Sequence, residues 1–235
     1  MANTRNSELF LSTFNELEKH FKNKFFRGSW KSFKQMLKEG SRNNPIIWQF
    51  KEELFEFTDL RNAIVHNRNH NYQVIAEPHD YIVKRFTVIS DQIINPKKVS
   101  AFFKHVHTCQ LTDSIDIPLN LINLHNISQI PVLDHSLKTI DILNTNTICY
   151  WLTINKENLN ANFTIADLLE HKEYQGNYEF IKSTTTVYHA SEIYRKSYLS
   201  QPKNKYYNAL LITQNGLPNE ELKGIIVLSD IAEYI

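Results

Sequence analysis

The chain has 235 residues, 42% hydrophobic and 22% charged, with a formal net charge of +1. That composition supports one large or two smaller apolar cores and excludes a disordered polyelectrolyte. No run of eighteen apolar residues occurs, and the polar start Met1 to Asn6 is followed by no apolar signal region, so the expectation is a soluble, cytoplasmic protein without a membrane span. Residues 1 to 98 carry a net +5 and residues 99 to 235 a net −4. A basic excess of that size on a helical segment reads as solvated surface rather than as a polyanion site.

From Ser7 to about Asn23, Phe10, Phe14, Leu17 and Phe21 recur at four, three and four, which predicts an amphipathic helix. Gly28 breaks the pattern. Ser29 is then the expected N-cap of a second helix with Trp30, Phe33 and Leu37 on one side, closing at Gly40. Asn44 and Pro45 read as N-cap and first position of a third helix running through Arg61 towards His66, with Ile47, Phe50, Leu54, Phe57 and Ile64 on its apolar stripe. Residues 67 to 76 read as a connection. A fourth helix opens near Pro78 with Ile82, Phe86, Ile89 and Ile93 inward, and Pro96 ends an all-helical bundle spanning 1–97.

Beyond Pro96 short apolar and β-branched runs (Ile130 to Leu133, Thr139 to Leu143, Ala209 to Ile212, Gly224 to Leu228) alternate with helical segments. They form an internal repeat. A helix opening around Asp113 to Ile115 precedes a strand with Pro131, and one with Ser191 to Ile193 precedes a strand with Ala209; Ile115 to Pro131 and Ile193 to Ala209 are both sixteen residues apart. Each copy continues into a second strand and a short helix, so the expected fold is α + α/β, a helical bundle followed by tandem β-α-β-β-α units over 98–157 and 158–235.

Asn126 to Asp134 and Leu222 to Ile231 give this part a resemblance to a pair of CBS domains, named after cystathionine beta-synthase. The resemblance implies paired β-α-β-β-α units that bind an adenine nucleotide (AMP, ATP or a cyclic dinucleotide) as a regulatory ligand and associate as a homodimer. Its ligand motif is a Gly, two apolar residues, a Ser or Thr, two variable residues and an Asp. Gly224 and Asp230 match, with Val227 at the hydroxyl position; the first copy has Asp141, Asn144 and Thr147 at the three positions. A carboxylate accepts both vicinal hydroxyls of a ribose and a threonine does so less well, which makes the second copy the expected ligand half. The nucleotide-binding set so implied is Thr184, Thr185, Thr186, Ala209, Leu210, Gly224, Ser229 and Asp230. The three threonines are equally suited to a strand edge and helix cap. A degenerate motif also leaves room for a pair that binds no ligand and serves as a dimerisation platform.

Arg61 occupies a place on an apolar stripe where leucine is expected, and a guanidinium there needs an anion, a carbonyl or a wet cleft beside it. Asn62 and His66 lie four apart on one face. An arginine stabilises a phosphoryl oxyanion and a histidine moves a proton near neutral pH. With a carboxamide to orient them, they suffice for metal-independent RNA cleavage, in which the substrate supplies its 2′-hydroxyl. The same residues also suit a helix end, where an imidazolium meets the negative pole of the macrodipole. The pattern Arg61, Asn62 and His66 on a helical bundle resembles the HEPN superfamily, whose signature is an Arg, four to six residues and a His. That resemblance implies a dimeric endoribonuclease with RNA as substrate and no catalytic cofactor, or a silent relative serving as a scaffold. His105 and His107 are expected on one side of a strand as structural or surface histidines, without a metal site, and Cys109 and Cys149 as buried free thiols.

Overall fold

A computed structural model describes residues 5–27, 30–66, 76–157, 162–172, 176–199 and 206–234. The chain forms two compact units, Met1–Lys97 and Lys98–Ile235.

The N-terminal unit is built from α1 (Asn6–Lys24), α2 (Phe33–Asn43), α3 (Pro45–Gln49), α4 (Lys51–His66) and α5 (Asp80–Ile94). The first stripe is as expected: Phe10, Phe14, Leu17 and Phe21 are all buried. Phe86 from α5 packs on Phe10 and Phe57 with ring centroids 4.8 and 4.7 Å apart, and burying each such ring contributes about 1.5–3 kcal/mol. The start of α1 is tied down from a distance, Glu77 accepting from Ser7 N and Ser7 Oγ at 2.8 Å each.

Four details differ from the sequence reading. Helix α2 starts at Phe33, because Ser32 and Gln35 form a reciprocal capping box; Trp30 is therefore outside the helix and fully exposed, and Ser29 lies outside the described residues. Gly40 does not end α2 but sits within it, where a Cβ would stand 3.0 Å from Ile47 Cδ1. Asn44 caps α3 as expected, yet the long third helix is divided at Phe50 (φ −98°, ψ 11°), and the ladder restarts at once with Leu54 N donating to Phe50 O at 2.9 Å. On α5, Val83 is buried where Ile82 was expected and Ile82 is half-buried.

The C-terminal unit contains two three-stranded sheets of identical topology. In the first, β1 (Cys109–Gln110) pairs parallel with β2 (Gln129–Leu133), which pairs antiparallel with β3 (Thr139–Asn144). In the second, β4 (Tyr178–Lys182), β5 (Ala209–Thr213) and β6 (Gly224–Ile226) repeat that arrangement. Helices α6 (Asp116–His125) and α9 (Val187–Leu199) are the crossovers, α7 (Thr145–Asn155) completes the first repeat, and α8 (Ile165–Leu169) lies between it and β4. The helix after β6 is 3-10 rather than α, running from Leu228 to Tyr234 with a kink at Ile231. The β-α-β-β-α pair is thus observed, with the repeat register corrected: Val132 pairs with Asp141 and Ile212 with Gly224. Pro131 therefore corresponds to Leu211, two residues beyond Ala209.

Strand β5 is buried on both faces, which explains its unbroken apolar run. Leu210 and Ile212 face a core with Val187, Ala190 and Tyr194 of α9, while Ala209 and Leu211 face Ile142 and Ile225 between the sheets. The first repeat's own core gathers Val132, Leu143, Trp151, Ile165 and Leu168. Both cysteines are free, but only Cys109 is buried; Cys149 is exposed on α7, correcting the expectation for that residue. No helix among the described residues is long and apolar enough to cross a membrane.

Candidate functional site

In the N-terminal unit the Arg61 stripe is buried as expected, with Ile47, Leu54 and Ile64 fully inaccessible. Arg61 is half-buried, its guanidinium lying 5.6 Å from the centre of the Phe14 ring. Its Nη1 donates to Asn62 Oδ1 at 3.2 Å, and its Nε is buried with no hydrogen-bond partner among the described residues. Arg61 and Asn62 are thus brought together. His66 is the last residue of α4, and its side chain lies outside the described residues.

The eight residues implied as nucleotide-binding do not share one environment. Thr184 is exposed in the turn after β4. Thr185 N donates to Lys182 O, and Thr185 O accepts from Val99 N. Thr186 bridges to Lys98, while its Oγ1 accepts from His189 N at 3.2 Å and lies 2.8 Å from His189 Nδ1. These are a strand edge and a cap for α9. Ala209 and Leu210 are fully buried on opposite faces of β5. At Gly224 a Cβ would stand 2.7 Å from Phe102 O, so close backbone approach accounts for this glycine. Ser229 is exposed, and Asp230 Oδ2 accepts from Val227 N at 2.8 Å.

The first repeat's counterparts lie differently: Asn144 and Thr147 line a cavity of about 530 Å³ within the C-terminal unit. Asn144 Oδ1 caps α7, accepting from Thr147 N at 2.8 Å and from Thr147 Oγ1 at 3.0 Å. Thr147 and Asn177 are buried, and Lys172 has a side chain only 1% exposed that pairs with Asp141. His171, Tyr206 and Asn208 line the cavity at intermediate depth, and Asn146, Tyr150 and Glu170 at its exposed margin. The Oδ1 of Asn177 is buried without a hydrogen-bond partner among the described residues. Asp141, at the motif's glycine position, also accepts from Ile142 N at 2.8 Å. Burial and the Asp141 charge together raise the pKa of Tyr178, whose hydroxyl donates to Ile140 O at 3.0 Å.

Sequence reasoning named Asn144 and Thr147 as the weaker half and passed over Lys172, Asn177, Tyr206 and Asn208. None of these four belongs to a motif, and β4, which fixes Asn177 beside Asn208 through an Asn208 N to Asn177 O bond of 2.6 Å, was not among the expected strands. His105 and His107 precede β1 rather than lying on a strand. Their rings are 5.0 Å apart, and His107 stacks on His125 at 3.8 Å. Desolvation, followed by the His125 and His105 charges, lowers the pKa of His107. Among the described residues no group of three or more His, Cys, Asp or Glu is arranged to hold a metal ion.

No family model and no curated protein matches the chain. Solved structures resembling it include CBS-domain proteins. CBSX2 in complex with AMP is 13% identical with a TM-score of 0.42, over 58% of this chain and 94% of that one. A CBS domain-containing protein of unknown function from Kribbella flavida is 13% identical with a TM-score of 0.45, over 58% and 97%. A CBS domain pair in complex with 5′-methylthioadenosine and S-adenosyl-L-methionine is 16% identical with a TM-score of 0.41, over 59% and 94%.

Proposed function

We propose that the C-terminal unit is a regulatory sensor that takes an adenine-type nucleoside or nucleotide in the cavity floored by Thr147, Lys172 and Asn177. The observation that carries this reading is the buried Asn177 Oδ1 in its lining, which has no hydrogen-bond partner among the described residues. An acceptor left so costs about 1–3 kcal/mol, which a ligand donor offsets. The cavity, about 530 Å³, falls in the range of small-molecule sites, and the rings of Tyr150 and Tyr206 offer surfaces on which a base stacks. The motif positions Asn144 and Thr147 supply polar groups beside them. This places the ligand on the half that the Asp230 match did not favour. Calorimetry and thermal melting of the full chain with adenosine, AMP, ATP, S-adenosylmethionine and cyclic dinucleotides test it. Asn177→Ala should weaken the responding ligand at least tenfold while the circular dichroism of the fold is kept. If none of these compounds gives a heat or a melting shift, the reading fails.

A second reading concerns the N-terminal unit, favoured by the buried Arg61 Nε that lacks a partner among the described residues. In it the helical unit cleaves RNA without metal: Arg61 holds the scissile phosphate, His66 transfers the proton and Asn62 orients them, in a homodimer that brings two motifs to one cleft. His66→Ala and the parent are compared on RNA in EDTA, with the oligomeric state read by sedimentation. Equal cleavage, no cleavage by the parent, or a monomer at micromolar concentration leaves instead a non-enzymatic sensor or scaffold.

A further inference from the structure

The hydrogen-bond sense of the cavity lining narrows its ligand, on the reading that the cavity is a nucleoside-type site. Lys172 is the one Lys or Arg among the described lining residues, and its ammonium is held by the Asp141 carboxylate while its side chain is 1% exposed. Glu170 adds a negative charge at the margin. Helix α7 begins here, and a helix start is the usual anion site. Two of its first three amides are already engaged, however: Thr145 N donates to Ser128 O at 3.2 Å and Thr147 N to Asn144 Oδ1 at 2.8 Å. Asn177 Oδ1 is an acceptor with nothing donated to it among the described residues. Thr147 Oγ1 spends its hydrogen on Asn144 and keeps lone pairs facing outward from that bond.

An unfilled Asn177 Oδ1 and the lone pairs of Thr147 Oγ1, beside a neutralised cation, recognise donors. We infer that this cavity takes a nucleoside without a phosphate, neutral or cationic, whose ribose hydroxyls and exocyclic amine donate to Thr147 and Asn177, and that it discriminates against the 5′-phosphate form. A phosphate dianion would bring only acceptors to this lining. It would have to compete with Asp141 for Lys172 and sit near Glu170.

Adenosine and AMP titrated into the full chain by calorimetry at pH 8, where imidazoles are neutral and the phosphate is a dianion, give the test. Adenosine is expected to bind at least tenfold more tightly than AMP. Asp141→Asn frees the ammonium while keeping an acceptor for Ile142 N, and should narrow that ratio at least threefold. AMP binding as tightly as adenosine in the parent overturns the inference and leaves the sensor reading standing, and so does a ratio unmoved by a folded Asp141→Asn. Binding of neither compound overturns the inference, and the sensor reading falls with it only if ATP, S-adenosylmethionine and the cyclic dinucleotides also give no response.

Discussion

Gly224→Ala separates a structural from a ligand role for the best-matched glycine of the motif. An ideal Cβ there stands 2.7 Å from Phe102 O and 3.1 Å from Ile212 Cδ1, against 3.4 Å for the start of ordinary contact, so the carbonyl and the strand must part by about 0.7 Å. Ile212 can turn its terminal methyl aside. Phe102 O cannot move freely, because its segment is fastened by Val99 N to Thr185 O at 2.8 Å and by Lys104 N to Lys223 O at 3.2 Å. Overpacking of this kind costs about 1–3 kcal/mol, and weakening the neighbouring Lys104 bond adds about 1 kcal/mol. The stiffer unfolded chain of the alanine variant returns about 0.4–1 kcal/mol. The net expectation is a loss of about 1.5–3 kcal/mol. Urea unfolding followed by Trp151, which is buried in the C-terminal unit, with Trp30 and Trp48 replaced by Phe, reads it as a midpoint lowered by about 1–2 M, for a slope of about 1.5 kcal/mol/M. A midpoint within about 0.3 M of the parent would falsify the steric account; loss of ligand binding at unchanged stability would return Gly224 to the ligand.

Tyr194→Phe removes the buried hydrogen bond from the Tyr194 hydroxyl to Ile226 O (2.8 Å) and should cost about 1–2 kcal/mol; an unchanged unfolding midpoint would mean that this carbonyl finds another donor. Arg61→Met exchanges a guanidinium whose buried Nε has no partner among the described residues for an apolar chain of similar reach, so stability should change by less than about 1 kcal/mol. A loss above 2 kcal/mol would show that the charge holds the bundle together. Glu220 accepts from Asn215 N and Asn215 Nδ2 at 2.6 Å each, and these bonds hold its carboxyl at about 2. Because that value is depressed, its contribution to the turn before β6 is present above the unfolded value of about 4.3 and is lost as pH falls through about 2. NMR titration of this carboxyl checks it, and a midpoint near 4.3 contradicts the bonds. Thiol labelling should modify Cys149 in the native protein and leave Cys109 protected until it unfolds, since burial and then Asp113 push the Cys109 thiol to about 12; prompt labelling at both positions would contradict the fold around β1.

Much of the architecture was legible because hydrophobic period is a local property. The stripe Phe10, Phe14, Leu17 and Phe21 and the run Ala209 to Ile212 are each sufficient to announce a helix and a central strand. Boundaries set by side-chain hydrogen bonds were less legible. Ser32 wins the cap of α2 because Gln35 stands three residues on, and the break at Phe50 has no Gly or Pro to mark it. The cavity was least legible. Asn144 and Thr147 were read as departures from a motif, and Lys172 and Asn177 sit in a stretch without periodicity. They acquire meaning only when β4 pairs with β5 and brings Asn177 beside Asn208. The repeat spacing was misjudged by two residues for a related reason: register is fixed by strand pairing, which the chain expresses only when folded.

The two halves of the C-terminal unit also exchange pieces. Val99, at the start of the unit, belongs to the core of the second sheet, and Ile165 and Leu168, past the first repeat, belong to the core of the first. The isolated bridges repeat the exchange, Lys98 with Thr186 and Ser114 with Thr164. Each half is therefore finished by chain that precedes or follows the other. Closing either loop means ordering a long intervening segment first, a search whose entropy slows folding. Such a unit should form in one cooperative step rather than half by half, and a nick between the repeats should leave two fragments that fold only together.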